Sequence, residues 1–199
     1  MKFKYIFTFL NLLLMIIITG CGENNSSILE DNSVNLFLAS DIPNNVGTWW
    51  IYEYKMNDLF TGKNVELKRE ILQPISNDYP YKETYLEQDS LVLATDTSYF
   101  RLTNEAFSLN VDGQWKDLLR FPAKNGLNWL TYDGDELIVE STTETVSLPI
   151  GNFYNCIKVT STIDNISFYY AYGLGLLLIE NIDNPVEEYI RLKSSSEFL

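Results

Sequence analysis

Two cysteines, one dense run of acids and a complete lack of histidine set the chemistry open to this chain of 199 residues. Cys21 closes an apolar stretch, 6–18, that follows Lys2 and Lys4 and ends in Ile18-Thr19-Gly20-Cys21. A basic start, an apolar centre and small residues before the break are the layout of a secretory signal. The Cys21 thiol is therefore the side chain placed for covalent modification at the membrane. Cys156 lies in an apolar run, Cys156-Ile157-Lys158-Val159, and reads as a small core residue. Asp133-Gly134-Asp135-Glu136 is the densest carboxylate group. Two acids around a glycine could wrap oxygen ligands around calcium, but the pattern does not continue as Asp-x-Asp-x-Asp-Gly, and a solvated hairpin turn is expected there. The 27 acids could supply a pair for glycoside hydrolysis. Nothing in their spacing says which would face each other. Without histidine the usual general base, the commonest zinc ligand and the ordinary nucleophile triads are missing. No Gly-x-Ser-x-Gly, phosphate loop or metal-ligand cluster is present. The expectation is a protein that is not an enzyme, with no cofactor, no metal and no catalytic residue.

The Ile18-Thr19-Gly20-Cys21 ending resembles the lipobox of bacterial lipoproteins. That resemblance implies a diacylglyceryl group on the Cys21 thiol, cleavage just before it, and acylation of the new amino terminus. The alternative, an uncleaved spanning helix, needs about 20 apolar residues. The stretch here is shorter and stops at Gly-Cys rather than at basic residues. Each buried methylene contributes ~0.8 kcal/mol, so two or more acyl chains hold a domain on a bilayer almost permanently. Cys21 is thus the expected lipidation site and the bilayer the expected partner. The expected location is the cell envelope, and the outer membrane if the host is diderm, because Gly22 rather than Asp follows the cysteine. A lipidated Cys21 also leaves Cys156 without a disulfide partner in the chain.

Loss of Lys2 and Lys4 with residues 1–20 moves the net charge from −13 to −15. Binding nucleic acid requires cations that displace phosphate counterions, so no nucleic-acid partner is expected. Adhesion to anionic lipid through a basic patch is disfavoured for the same reason. The acidity mainly keeps a tethered domain soluble.

The remaining chain divides by composition. Residues 21–45, rich in Asn, Ser, Asp and Glu, read as the lipidated cysteine and a flexible tether. Leu36-Phe37-Leu38-Ala39 interrupts them as a segment that could dock on the domain. Residues 46–193 read as one β-rich domain and 194–199 as a tail. In 49–56, Trp50, Tyr52, Tyr54 and Met56 share one face, with Glu53 and Lys55 on the other. Val65, Leu67 and Ile71 alternate with charged residues, with Arg69 the exception. Further strands are expected over 81–87, 91–94, 98–102, 106–111, 115–121, 128–132, 136–143, 155–163, 167–172, 176–180 and 187–192. Asp112-Gly113, Asp133-Gly134, Asp164-Asn165, Gly173-Leu174-Gly175 and Asn184-Pro185 mark turns between them. A short helix or turn could fall at 117–120. The pattern predicts an all-β fold, an antiparallel sandwich or half-open barrel.

One internal echo suggests two similar halves. Pro43-x-x-x-Gly47-x-x-Trp50 recurs 79 residues later as Pro122-x-x-x-Gly126-x-x-Trp129. Proline stiffens the approach, glycine permits a tight bend and tryptophan anchors the first strand. Aromatic pairs follow in each half, Tyr99-Phe100 and Tyr169-Tyr170.

The run from Asp41 through Pro43 and Gly47 to Tyr52 resembles the opening of uncharacterised all-β bacterial envelope lipoproteins. The stretches 151–159, around Cys156, and 169–180, where Tyr169-Tyr170-Ala171-Tyr172 turns through Gly173 and Gly175, resemble the later strands of that group. The resemblance implies a β-rich envelope domain and brings no catalytic residue with it. Two functions remain. A tethered domain could bind a protein or glycan partner through its tyrosines and tryptophans, although core packing is the ordinary use of most such rings. Alternatively, a half-barrel could carry a lipid or other apolar ligand. A continuous apolar cavity would favour the carrier, and a filled core with exposed aromatics the binder.

Overall fold

The computed structural model describes residues 36–55, 64–76, 78–87, 91–185 and 188–196. The lipidation site expected at Cys21 and the leader before it lie outside them, as does Met56. Alternation in the sequence becomes alternation of burial. In β1 (Trp49–Lys55) Trp50, Tyr52 and Tyr54 point inward, and in β2 (Val65–Ile71) Val65, Leu67, Arg69 and Ile71 do. The chain continues through β3 (Asp78–Glu87), β4 (Leu91–Leu102), β5 (Ala106–Val111) and β6 (Gln114–Arg120). The second six strands are β7 (Asn128–Leu130), β8 (Glu136–Leu148), β9 (Gly151–Ser161), β10 (Ile166–Ala171), β11 (Gly175–Asn181) and β12 (Tyr189–Ser195).

All twelve join in one antiparallel sheet, ordered β6-β5-β4-β3-β2-β1-β12-β11-β10-β9-β8-β7. The fold is all-β, and the sheet is not closed into a barrel. Two six-stranded meanders meet where β1 pairs with β12. The expected halves are therefore the two arms of one sheet, and the aromatic pairs of the echo sit on the fourth strand of each, β4 and β10.

The echo is the same hydrogen-bonded device twice. The Gly47 amide donates to Ile71 O (2.8 Å) and the Ile71 amide returns to Thr48 O (2.9 Å). In the second half the Gly126 amide donates to Val139 O (2.8 Å) and the Val139 amide returns to Leu127 O (2.8 Å). Both glycines hold positive φ, +84° and +78°, a conformation that a side chain disfavours. Trp50 and Trp129 follow, 0% and 5% exposed.

The packed unit is wider than residues 46–193. Phe37 is fully buried, its carbonyl accepting from the Ala123 amide (3.1 Å) and its ring meeting the edge of Tyr172 at 4.9 Å. Ile42 is also buried, and β12 runs to Ser195. Burial of two large apolar side chains outweighs the polar composition around them. Residues 117–120 are not helical. They belong to β6, where a bulge opposite Phe107 and Ser108 lets Leu118 and Leu119 both bury. The separate strands expected at 91–94 and 98–102 are one continuous β4, because β3 pairs with it from Leu91 to Arg101 across one bulge.

Candidate functional site

The acidic run expected to be a solvated turn is partly buried. Lys116 on β6, fully enclosed, donates to Asp133 (3.0 Å) and Asp135 (3.3 Å) in the β7–β8 turn. Asp135 is 2% exposed and also accepts from the Ser161 hydroxyl (2.9 Å) and the Ile163 amide (3.2 Å). Burial acts to raise the Asp133 carboxyl, but the bonds from Thr131 and Lys116 outweigh it and hold it below its ordinary range. These carboxylates are occupied by a lysine, which makes them a clamp between the two sheet edges. The Trp129 indole reinforces that clamp by donating to Asp117 O on β6 (2.9 Å). A second buried cluster lies in the other half. Arg69 bonds Glu83 at 2.5 Å, and Ser98 donates to the other Glu83 oxygen at 2.9 Å. Burial pushes the Glu83 carboxyl up, against the opposing pull of Arg69 and Ser98. Asp135 and Glu83 are buried and held by bases and hydroxyls, while Asp133 stays partly exposed.

Cys156 is a buried free thiol, Sγ 3.4 Å from Phe153 O. Burial pushes it up to about 12, so it stays protonated at neutral pH and is a poor nucleophile.

Among the described residues, most aromatic rings are buried. Trp50, Tyr52, Tyr81, Tyr170, Phe100, Phe107 and Phe168 are among the largest fully buried side chains. Tyr52 spans the interior to donate to Leu176 O (3.2 Å). These side chains fill the space beneath the sheet.

A concave surface lies outside that core. A groove of about 930 Å³ is walled by residues 40–45 on one side, 152–155 of β9 on another and the β10–β11 turn, 171–174, on the third. The volume is within the range of small-molecule and cofactor sites. Ile42, Pro43, Ala171 and Leu174 form a buried apolar floor. Exposed Asn44, Asn45, Asn152 and Asn155 supply amides around it. Tyr154 stands 67% exposed and Tyr172 half-buried at the sides. Asp41 is the single carboxylate, one oxygen taken by the Leu38 amide (2.6 Å), and no lysine or arginine is among the lining residues.

Local structure positions each wall. A 3-10 turn (Ala39–Asp41) bends the chain between buried Phe37 and Ile42, so residues 40–45 lie against the domain. Phe37 packs on Tyr172 and fixes that ring. Burial, with the nearby Asp41 carboxylate, holds the Tyr172 phenol above its ordinary range. Asn155 takes positive φ (+57°) within β9, which turns the backbone out of the regular strand there. Sequence reading named none of these groove residues as a site. Three separate segments compose it, and only the abundance of tyrosine, read with tryptophan as possible contact area, hinted at such a surface.

No protein-family model matches the chain, and no curated protein matches it significantly. Two solved structures share the fold. One is a protein from Bacteroides fragilis, inferred to be exported and described as having a YMCC-like fold. It is 18% identical, with TM-score 0.52, over 77% of this chain and 97% of that one. The other is from Parabacteroides distasonis and inferred to be a lipoprotein. It is 14% identical, with TM-score 0.50 over the same shares. At these identities the likeness is one of fold.

Proposed function

We propose that this protein is a lipid-anchored bacterial envelope protein whose β domain is a non-catalytic binding module, presenting its groove to a protein or glycan partner. The observation that carries the reading is the groove, an amide- and tyrosine-lined surface on the outside of a filled core. A buried apolar ligand would need the space that Trp50, Tyr52, Tyr81, Tyr170 and Phe168 occupy, which weighs against the carrier. The leader ending at Cys21 supports the anchor, and the exported and lipoprotein descriptions of the two similar structures agree with it.

The test has two parts. Cys21→Ser is expected to lose its acyl mass and leave the membrane fraction. A variant still acylated and membrane-bound overturns the anchor. Pull-down of the lipidated protein from its native envelope should retain a partner that Tyr154→Ala loses. Equal retention by both removes the groove from the function.

A further inference from the structure

We infer that the groove takes a neutral glycan, an inference that rests on the groove being the binding surface proposed above. The first argument is charge. No cation is among the lining residues and one carboxylate is, in a chain of net charge −13. A phosphate, sulfate or uronate ligand would lose hydration and meet repulsion without an ion pair to compensate. A cationic ligand would find one carboxylate already bonded to the Leu38 amide.

The second argument is the match of groups. A sugar ring offers alternating hydroxyls, each a donor and an acceptor, around a C–H face. Each asparagine amide carries two donors and an acceptor with two lone pairs, so Asn45, Asn152 and Asn155 can meet either role, and Asn44 can beside its bond to the Tyr79 hydroxyl (3.3 Å). The Tyr154 ring, exposed and with a polar tip, offers a flat apolar face for the C–H side of a sugar. Ile42 and Leu174 supply the apolar floor.

The third argument separates a glycan from a peptide. An extended peptide adds to a regular strand edge. On the side of β9 toward β10, residues 152–155 lie beyond the ladder, which runs over 157–160, while Asn152 and Phe153 pair with β8 on the other side. Positive φ at Asn155 breaks the regular geometry that a peptide strand would extend. Side-chain amides from two segments, 44–45 and 152–155, line the groove in place of a regular backbone edge.

The test uses the detergent-solubilised lipidated protein and three probes: a neutral oligosaccharide fraction released from the host envelope, polygalacturonate, and a peptide fraction from the same envelope. Titration calorimetry should show binding of the neutral fraction and none of polygalacturonate. Tyr154→Ala and Asn152→Ala should each weaken it about tenfold, the loss of one anchoring contact, with unchanged thermal midpoints because both positions are exposed. Failure to bind the neutral fraction, or equal binding by wild type and variants, overturns the glycan. Groove-dependent binding of the peptide fraction alone also overturns it, while leaving the binding-module reading intact. Absence of groove-dependent binding in all three arms sinks both.

Discussion

The two arms of the sheet begin with the same device and then handle buried charge in different ways. In the first arm, Trp50 pairs across the strands with Arg69, and Arg69 with Glu83. In the second, the matching residues are Leu137, opposite Trp129, and Ser161, opposite Leu137. The ion pair of the second arm has moved to Lys116 and its two aspartates, reached from the far end of the first arm. Pairing differs as well. β1 is hydrogen-bonded on both sides, to β2 and β12, whereas β7 has three residues and pairs only with β8. One junction between the arms is therefore a backbone ladder and the other a set of side-chain bonds. A fully enclosed ion pair can sit beneath continuous sheet. At the open junction the charges serve to hold two edges together, and Asp133 keeps contact with water.

Breaking each cluster tests this contrast most strongly. Arg69→Met leaves the Glu83 carboxyl enclosed without its base and is expected to destabilise by ~3–5 kcal/mol. Lys116→Met should destabilise less, by roughly 1–3 kcal/mol, because Asp133 is 35% exposed and Asp135 keeps Ser161 and the Ile163 amide. Urea unfolding of the two variants measures the order, and a larger loss for Lys116→Met reverses the account of the open junction. Both glycines test the shared device with a smaller effect. A Cβ at Gly47 or Gly126 meets nothing within 4 Å, so only backbone strain is added. Gly47→Ala and Gly126→Ala should therefore each destabilise by about 1–2 kcal/mol. Melting curves that differ sharply between the two would show that the repeated sequence does not make equivalent turns.

Much of the fold was legible because strands write themselves with a period of two. β1 and β2 could be read residue by residue, and even the misfit of Arg69 on the inward face was visible in its position. Asp112-Gly113 and Gly173-Leu174-Gly175 marked turns that the backbone makes with positive φ. The polar stretch Thr95-Asp96-Thr97 hid the continuity of β4, since exposed residues on both faces leave no alternation to read. Phe37 stood in the segment read as able to dock, and it is buried, but Ile42 was concealed by composition, because one apolar residue among polar ones looks like tether until something covers it. Asp135 was misread for the complementary reason. A carboxylate beside glycine resembles a solvated turn unless Lys116, 19 positions earlier, is known to lie against it.

The sequence alone determined the β period, the repeated Pro-x-x-x-Gly-x-x-Trp turn, the acidic surface and the Cys21 signature, since each is a property of neighbouring residues. The tertiary structure decided which side chains meet: Arg69 with Glu83, Lys116 with Asp135, and Asn44 with Tyr154 and Tyr172 around one groove. Strand order brings these residues together across separations of tens to more than a hundred positions. Local periodicity holds no record of such distances, so the candidate site became visible only once the sheet had been assembled.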